Sequence, residues 1–195
     1  MARFLTALVF CFAASVVQAA DKLLLSEISS YLNGLTTVRG TFTQINEDGT
    51  LSTGELMIKR PGKMRFEYDP PDATLVVACA SAVFIHDRKS NQPPSTYPLN
   101  RTPLSLILAP NVNLNTANMV VGHHFDGTAT RVVARDPEHP EYGRIEMLFT
   151  SDPVALRKWV VYDANGGQTT VMLGVLEAGV SAPNSLFCID TTNDR

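Results

Sequence analysis

The chain has 195 residues, a formal net charge of −3 and a mean hydropathy of +0.03. That length suits one domain or two very small ones, and 45% hydrophobic with 18% charged residues is typical of a chain that buries a core rather than of a disordered one. The near balance of 16 basic and 19 acidic residues gives nucleic-acid binding no support, and the mean hydropathy excludes a polytopic membrane protein.

The first residues have the pattern of a secretory signal peptide. Arg3 provides a short positive start, residues 4–17 form an apolar run, and Ala19 is the small residue expected before a cleavage site. The run is shorter than the roughly 20 residues that a membrane-spanning helix needs. The sequence therefore predicts that residues 1–19 are removed and that residues 20–195 form a single exported domain. An uncleaved N-terminal anchor is the alternative.

An amphipathic helix is predicted at the start of the mature chain. Its apolar positions recur at steps of 3, 4 and 3 residues, which places them on one helical face. These positions are Leu25, Ile28, Leu32 and Leu35. Asp21 could cap the start of the helix, and Gly34 stands where a C-terminal cap is expected. A helix with one apolar stripe must pack against another element.

The hydrophobic period then changes to two, which is typical of strands. Alternation is clearest at Leu56 and Ile58, at Met64, Phe66 and Tyr68, and at Ile145, Met147 and Phe149. Further predicted strands are Val38–Asn46, Thr74–Cys79, Ala82–Asp87, Arg131–Arg135, Leu156–Tyr162, Thr169–Leu176 and Leu186–Asp190. Short turns containing Gly or Asn separate them, for example Pro61-Gly62 and Asp126-Gly127. This pattern predicts an antiparallel meander.

One apolar segment interrupts the strands. Residues 91–98 read as a loop, and the segment from Thr102 to Pro110 reads as a short helix that Thr102 could cap and Pro110 would end. This helix is apolar on most sides, so it must be covered or must cover something. The predicted fold is mostly β with two helices: a curved antiparallel sheet with both helices on its concave side, around an apolar cavity.

The sequence offers little chemistry. It has no nucleophile elbow, phosphate-binding loop or dinucleotide fingerprint. The neighbours His123 and His124 would point to opposite faces of a strand, so we predict no metal site. The acidic loop with Asp136, Glu138 and Glu141 could hold glycosidase-like carboxylates only if they met across a cleft. We therefore expect no enzyme activity.

Two cysteines remain after the predicted cleavage, Cys79 and Cys188. An even number of cysteines in an exported protein invites a disulfide. Both lie in apolar, strand-like sequence, so two buried thiols that act as small apolar residues are the alternative.

The segment from Gly54 to Pro71, GELMIKRPGKMRFEYDPP, resembles the periplasmic outer-membrane lipoprotein carrier family, LolA. Members of that family carry a G-x-L-x-[IV]-K-R-P segment before an aromatic-rich strand and an acidic, Pro-containing turn. Residues 38–44 resemble the family's F-x-Q strand, and residues 101–110 resemble its short helix. Residues 163–167 and Phe187 resemble its last hairpin and closing strand. The ordered set spans essentially the whole mature chain.

The resemblance implies an unclosed, strongly curved antiparallel β-barrel, or half-barrel, with a helical lid over a hydrophobic cavity. It implies a periplasmic carrier that takes the acyl chains of lipoproteins from an inner-membrane, lipoprotein-releasing ABC transporter. The carrier then delivers this cargo to an outer-membrane receptor and so contributes to outer-membrane biogenesis. The expected protein is a monomer that uses no cofactor.

The resemblance also implies roles for particular residues. Arg60 matches the family's K-R-P arginine, which reaches inside and hydrogen-bonds lid carbonyls in the closed, empty state; an arginine at the rim of the sheet is the alternative. The expected acyl-chain cavity residues are Leu56, Ile58, Met64, Phe66, Val76 and Phe84. The expected lid helix residues are Leu104, Leu106, Ile107 and Leu108. Ordinary core packing is the alternative for both groups.

Two departures from the family pattern bear on these expectations. Met64 stands where an aromatic is common, and Cys79-Ala80 replaces an expected Asp-Gly turn. Apolar side chains do not identify a cargo. A binder of another lipid or glycolipid on the same fold, or a sensor of mislocalised lipoproteins, is therefore the alternative function.

Overall fold

The computed structural model describes residues 21–115 and 118–189, and the predicted signal peptide, residues 1–19, lies outside them. Within these ranges the chain forms two α-helices, α1 (Leu25–Gly34) and α2 (Leu104–Leu108), and one sheet of twelve strands. The strands are β1 (Thr37–Ile45), β2 (Leu51–Lys59), β3 (Lys63–Tyr68), β4 (Thr74–Cys79), β5 (Ala82–Asp87), β6 (Ser95–Pro98), β7 (Val120–Phe125), β8 (Thr130–Ala134), β9 (Arg144–Thr150), β10 (Ala155–Tyr162), β11 (Gln168–Leu173) and β12 (Glu177–Ala178). Short 3-10 helices span Leu99–Arg101, Pro140–Tyr142 and Asn184–Phe187.

The sheet is an antiparallel meander in two halves. The strand order is β6-β5-β4-β3-β2-β1-β11-β10-β9-β8-β7, and β12 pairs with β1 at Val38 and Arg39. Strands that follow one another in sequence pair as neighbours throughout each half, as the short turns predict. The β1–β11 pair joins the two halves. The outermost strands, β6 and β7, do not pair with each other, so the sheet is not closed.

The sheet curves strongly about one face. Phe66 on β3 and Trp159 on β10 lie four strand spacings apart, which is about 19 Å in a flat sheet. Their rings nevertheless meet edge to face, with 6.1 Å between the centroids. We call the face that carries these two rings the inner face. Its curvature produces the predicted half-barrel.

The hydrophobic core lies between the inner face and the two helices. Ile28 and Leu32 of α1 and Ile107 of α2 belong to the same core as strand residues from both halves of the sheet, including Met64 and Met147. All five are nearly inaccessible to solvent. No helix in the described part of the chain has the length and apolar character to span a membrane.

The helix positions are confirmed, but both predicted side-chain caps are wrong. Helix α1 starts at Leu25 after Leu24, whose N–H donates to the Glu27 carboxylate at 2.7 Å, so Asp21 is not its cap. The Thr102 hydroxyl donates backwards to the Leu99 carbonyl at 2.8 Å, because a 3-10 turn precedes α2. Helix α2 therefore begins without a side-chain cap.

Two strand predictions are also wrong. Leu186–Asp190 was predicted as a strand, but Asn184–Phe187 forms a 3-10 helix, and Asp190 lies outside the described residues. This segment contacts β3 and β4, which are already paired on both edges, and Phe187 is fully buried there. Conversely, the predicted loop 91–98 contains β6, which pairs with β5 although its side chains are exposed. The sequence pattern also left β7 and β12 unassigned, and β11 ends at Leu173 instead of Leu176.

Candidate functional site

The two helices meet the sheet at Arg60, the residue that follows β2. The Arg60 guanidinium donates to the Ala109 carbonyl from Nε at 3.2 Å and from Nη2 at 2.5 Å. It also donates to the Leu32 carbonyl from Nη1 and to Asn33 Oδ1 from Nη2 at 3.1 Å. One arginine therefore binds the C-terminal ends of both α1 and α2. We call Arg60 the latch.

The latch suits these acceptors because helix ends leave carbonyls without intrahelical partners. Leu32 lies in the last turn of α1, and Ala109 directly follows α2. A cation near the C-terminal end of a helix is also favoured by the helix dipole. Burial lowers the pKa of the Arg60 guanidinium from its usual value, yet a guanidinium stays charged in proteins. The guanidinium thus donates four hydrogen bonds to three acceptors, and the carbonyl of Leu32 also accepts from the Leu35 N–H at 3.2 Å.

Asn33 connects α1 to the segment that follows α2. Its Oδ1 accepts from the Val112 N–H and its Nδ2 donates to the Val112 carbonyl, both at 2.9 Å. Two residues after Val112, the Leu114 N–H donates to the hydroxyl of Ser29 at 3.0 Å. We therefore call α1, α2 and residues 109–115 the lid. Its parts are bonded to each other as well as to Arg60.

Helix α1 reaches across the open sheet from one half to the other. The Leu23 N–H donates to the buried hydroxyl of Thr130 on β8 at 2.9 Å. The Leu23 carbonyl lies 2.9 Å from Nε2 of His123 on β7. The start of α1 is thus fixed to the β7–β8 half, while the latch holds its end to the β1–β6 half. The C-terminal end of α1 is also held by the chain itself, because only Leu35 and Thr36 separate it from β1.

Five of the six predicted cavity residues lie on the inner face. Leu56, Ile58, Met64 and Phe66 are at most 6% exposed, and Val76 packs against the same core. The ring of Phe66 meets Phe42 edge to face, with 4.9 Å between the centroids, and Phe42 meets Tyr68 in the same way. An aromatic group therefore lines the centre of the inner face beneath the lid. That these residues receive acyl chains stays a prediction.

The prediction that Phe84, the remaining residue of this set, lines the cavity is wrong. Phe84 pairs with Val77, whereas Val76 pairs with Phe66 and with Ile85. Residues that face each other across an antiparallel pair lie on the same side of a sheet, and successive residues alternate. Phe84 therefore lies on the outer face, and its neighbours Val83 and Ile85 lie on the inner face.

The four predicted lid residues divide into two groups. Ile107 and Leu108 are buried at 1% and 2% exposure, whereas Leu104 and Leu106 are half-buried and pack against the margin of the core. The Leu108 carbonyl accepts from the Gly62 N–H at 2.9 Å, so the turn after Arg60 binds α2 through its backbone as well. The apolar helix covers the inner face, as its composition predicts.

The inner face is left partly open near β6. Ile85 on β5 is 39% exposed, and Tyr97 on β6 is 50% exposed. Tyr97 pairs with Val83, which places its side chain on the inner face as well. Two large side chains on the inner face are therefore exposed at the β5–β6 edge. Exposed apolar groups next to a closed apolar interior are typical of a binding mouth.

Other sequence candidates are placed away from this site. The structure joins Cys79 to Cys188 in a disulfide, with 5.5 Å between the Cα atoms. In the acidic loop, Asp136 accepts from the Glu138 N–H at 2.8 Å, and Glu141 contacts the ring of His139 at 3.0 Å on the surface. Among the described residues, no group of His, Cys, Asp and Glu side chains could hold a metal ion.

Sequence reasoning did not identify several residues of the site. Asn33 and Ser29 lie beside the apolar stripe of α1, where polar residues usually face solvent, so the pattern gives no signal for their role. Tyr97 lies in a segment that was predicted as a loop. Only Ile85 could have been found from the sequence, because the alternation along β5 places its side chain on the same face as that of Val83.

Comparison with known proteins identifies the family of this arrangement. Residues 33–190 match the model of the family described as outer membrane lipoprotein carrier protein LolA. An uncharacterized protein of Rickettsia prowazekii is 30% identical over 89 residues, 46% of this chain and 42% of that protein. An outer-membrane lipoprotein carrier protein of Coxiella burnetii is 28% identical over 107 residues, 51% of each chain. The chain thus spans about half the length, or less, of these relatives.

Longer but weaker similarities also exist. An outer-membrane lipoprotein carrier protein of Methylobacillus flagellatus is 21% identical over 168 residues, 82% of this chain and 81% of that protein. Among solved structures, a LolA superfamily protein from Nitrosomonas europaea is 8% identical with a TM-score of 0.45, over 86% of this chain and 99% of that one. An uncharacterized conserved protein from Thermus thermophilus is 14% identical with a TM-score of 0.49, over 86% and 93% of the two chains.

Proposed function

Because this chain belongs to the LolA family of outer membrane lipoprotein carrier proteins, we propose that it is a periplasmic carrier of lipoproteins. It binds the acyl chains of lipoproteins released from the inner membrane and delivers them to a receptor in the outer membrane. The observation that carries this proposal is a curved, apolar inner face whose helical lid is tied to the sheet by one arginine, Arg60.

The physical problem of such a carrier is that acyl chains are costly to expose to water. Burying them gains about 0.8 kcal/mol per CH₂ group. A carrier must therefore shield the acyl chains from water about as well as the membrane that they leave. It must also give the chains up, so its empty state needs a stabilisation of its own that cargo removes.

The closed lid supplies that stabilisation. In the empty protein, Ile107 and Leu108 cover the inner face, and Arg60 satisfies the carbonyls of Leu32 and Ala109. Acyl chains reach the covered residues only after the lid moves away, which breaks the Arg60 bonds. When the cargo leaves, the lid packs again on the inner face and the bonds reform. Closing thus offsets part of the free energy lost when the chains depart.

The exposed side chains of Ile85 and Tyr97 mark the side from which chains would reach the inner face. The two residues are exposed and apolar while the lid is closed, so they contact a chain before the lid opens. The proposed donor is an inner-membrane, lipoprotein-releasing ABC transporter, and the proposed acceptor is an outer-membrane lipoprotein receptor. The cycle moves acyl chains between apolar surfaces and needs no covalent step and no cofactor.

A release assay on spheroplasts tests the proposal. Purified protein comprising residues 20–195 is added to spheroplasts that synthesise labelled lipoproteins, and the supernatant is separated. We expect lipoproteins to appear in the supernatant in a one-to-one complex with the protein. Heat-unfolded protein is the control and should release nothing.

The assay separates the carrier from a binder of other lipids. If no lipoprotein is released while the protein binds an apolar fluorescent probe, the fold assignment survives and the lipoprotein proposal fails. The cargo would then be another lipid or glycolipid.

The mouth residue Ile85 gives a direct test of where apolar ligands bind. Ile85→Gln is expected to weaken binding of an apolar fluorescent probe by roughly fivefold to thirtyfold, since the contact of a buried aliphatic side chain is worth about 1–2 kcal/mol here. The closed state loses little, because Ile85 is already 39% exposed in it. Fluorescence titration measures the dissociation constant.

Met172 provides the matched control for Ile85. It is also 39% exposed, but it pairs with Thr43 on the outer face. Met172→Gln should leave probe affinity unchanged. Equal effects of the two substitutions would show that the probe does not bind at the inner face.

A further inference from the structure

The last described segment crosses the outer face of the sheet as a strap. We define the strap as residues 179–188, which follow β12. It passes over the ends of β2, β3 and β4 and carries the 3-10 helix Asn184–Phe187, which contacts β3 and β4. Phe187 is fully buried, and Val77 beneath the strap is equally inaccessible. A second, smaller apolar core thus lies on the side of the sheet opposite the lid.

After Gly179, whose N–H donates to the Thr37 carbonyl of β1 at 2.9 Å, side chains and the disulfide hold the strap on β2, β3 and β4. Lys59 Nζ donates to the Ala182 carbonyl at 2.7 Å, and Arg65 Nη1 donates to the Leu186 carbonyl at 3.0 Å. Beyond these contacts, Cys188 is bonded to Cys79 at the end of β4. The strap is therefore attached to three neighbouring strands at one end of the sheet.

The strap and the latch lie on opposite sides of the same hairpin end. Lys59 and Arg60 are successive residues, so their side chains point to opposite faces. Lys59 reaches outward to the strap, and Arg60 reaches inward to Leu32 and Ala109 of the lid. The turn that holds the latch is thus bound from both sides, and its freedom to move depends on both sets of contacts.

We propose that the strap is a positioning element for the latch: by holding the β2–β3 turn from outside, it keeps Arg60 aimed at the lid carbonyls. Lys59 and the Cys79–Cys188 bond are the groups through which it acts. Loosening either one lets the turn move outward and weakens the Arg60 bonds without removing Arg60. This inference rests on the proposed function for its purpose, but it concerns lid opening and is tested without cargo.

The disulfide makes this device sensitive to thiols. Cys79 is buried at 7% exposure, whereas Cys188 is an exposed residue, so a thiol approaches the bond from the Cys188 side. Reduction by a dithiol converts the disulfide to two thiols, while the dithiol becomes a cyclic disulfide. The protein can therefore be compared with the strap tethered and untethered.

The test measures the rate at which an apolar fluorescent probe is taken up by folded protein in stopped flow. Lys59→Met keeps the side-chain length but removes the hydrogen bond to Ala182. We expect it to accelerate uptake about five- to tenfold, the size typical of coupling within one contact network. Reduction with dithiothreitol should accelerate uptake at least as much. In an Arg60→Leu background neither change should have an effect, because the strap acts through the latch.

Lys63→Met is the matched control. Lys63 is the cross-strand partner of Lys59 at the same turn, yet it donates no hydrogen bond to any residue within the described ranges. This variant should take up the probe at the wild-type rate.

Several results would overturn the proposal. One is an unchanged rate of probe uptake in Lys59→Met. Another is an equal acceleration by Lys59→Met or by reduction in the wild-type and Arg60→Leu backgrounds, which would indicate a general loosening of the fold. Unchanged uptake in Arg60→Leu itself would also overturn it, because no latch would then exist to position. Reduction in buffer, applied to protein already folded, keeps the test independent of variants that fold poorly. Failure of the lipoprotein release assay, by contrast, would leave these uptake rates as they are and would concern the cargo alone.

Discussion

Arg60→Leu is expected to bind apolar cargo more tightly than the wild type and to lose the ability to unload it. The closed, empty state is stabilised by the bonds from Arg60 to Leu32, Asn33 and Ala109, and the loaded state is not. Hydrogen bonds that involve a charged group contribute about 1.5–3 kcal/mol each. Because all of these bonds come from one half-buried guanidinium that water solvates again when the lid opens, we expect a total loss of about 3 kcal/mol, below the sum of the separate bonds. Removing the latch should thus raise cargo affinity roughly a hundredfold and reduce transfer to an acceptor by a similar factor.

Transfer is measured by incubating the loaded carrier with outer-membrane vesicles and separating the two. Arg39→Leu is the matched control, because Arg39 lies exposed on β1 and binds Glu55 at 2.6 Å on the outer face. It should load and unload normally. Arg60→Lys keeps the charge but lacks the forked guanidinium that binds several acceptors at once. Its rate of transfer should therefore lie between those of the wild type and of Arg60→Leu. Normal transfer by Arg60→Leu would remove the latch from the proposed cycle.

Removal of the disulfide is expected to produce the largest loss of stability of any change considered. The bond joins cysteines 109 residues apart. Closing a loop of this length restricts the unfolded chain and stabilises the folded one by about 4–5 kcal/mol in the chain-entropy account. The double variant Cys79→Ala/Cys188→Ser should therefore unfold at a lower urea concentration, with a melting temperature lower by roughly 10–15 °C.

The wild-type protein in excess dithiothreitol serves as the control. It should fall to nearly the same stability as the double variant, because both lack the same cross-link. Equal urea midpoints for the oxidised wild type and the double variant would mean that the unfolded chain is already restricted without the bond.

Local patterns were enough to predict most of the sheet. Met64, Phe66 and Tyr68 alternate with charged neighbours, and the structure places all three on the inner face. The prediction succeeds because successive side chains of a strand point to opposite faces. When apolar residues alternate with polar ones, the apolar set can be assigned to the buried face. The same parity predicted that Arg60 points inward.

Parity failed where both faces of a strand are covered. The residues of β4 are apolar on both faces, since the lid side and the strap each cover one of them. In such a run the alternation no longer indicates which face is inside. Phe84, on the neighbouring strand β5, was assigned to the cavity through the family resemblance. The register with Val77 assigns it to the outer face.

The partners of the latch could not be read from the chain. Leu32 and Ala109 meet Arg60 through contacts 28 and 49 residues apart in sequence, and backbone carbonyls carry no sequence signature. Asn33 and Ser29 likewise have no pattern that marks them as lid residues. The segment Leu186–Asp190 was predicted as a strand, because its sequence gives no indication that the edges of β3 and β4 are already paired.

The periodicity of neighbouring residues is enough to predict the antiparallel meander, the amphipathic and the apolar helix, and the inward direction of Arg60. The choice of carbonyls that Arg60 binds, the face that Phe84 occupies, the open part of the inner face and the way the strap holds the β2–β3 turn follow from the folded arrangement. These features depend on strand register and on contacts between distant segments, which arise only when the curved sheet brings both halves around one core.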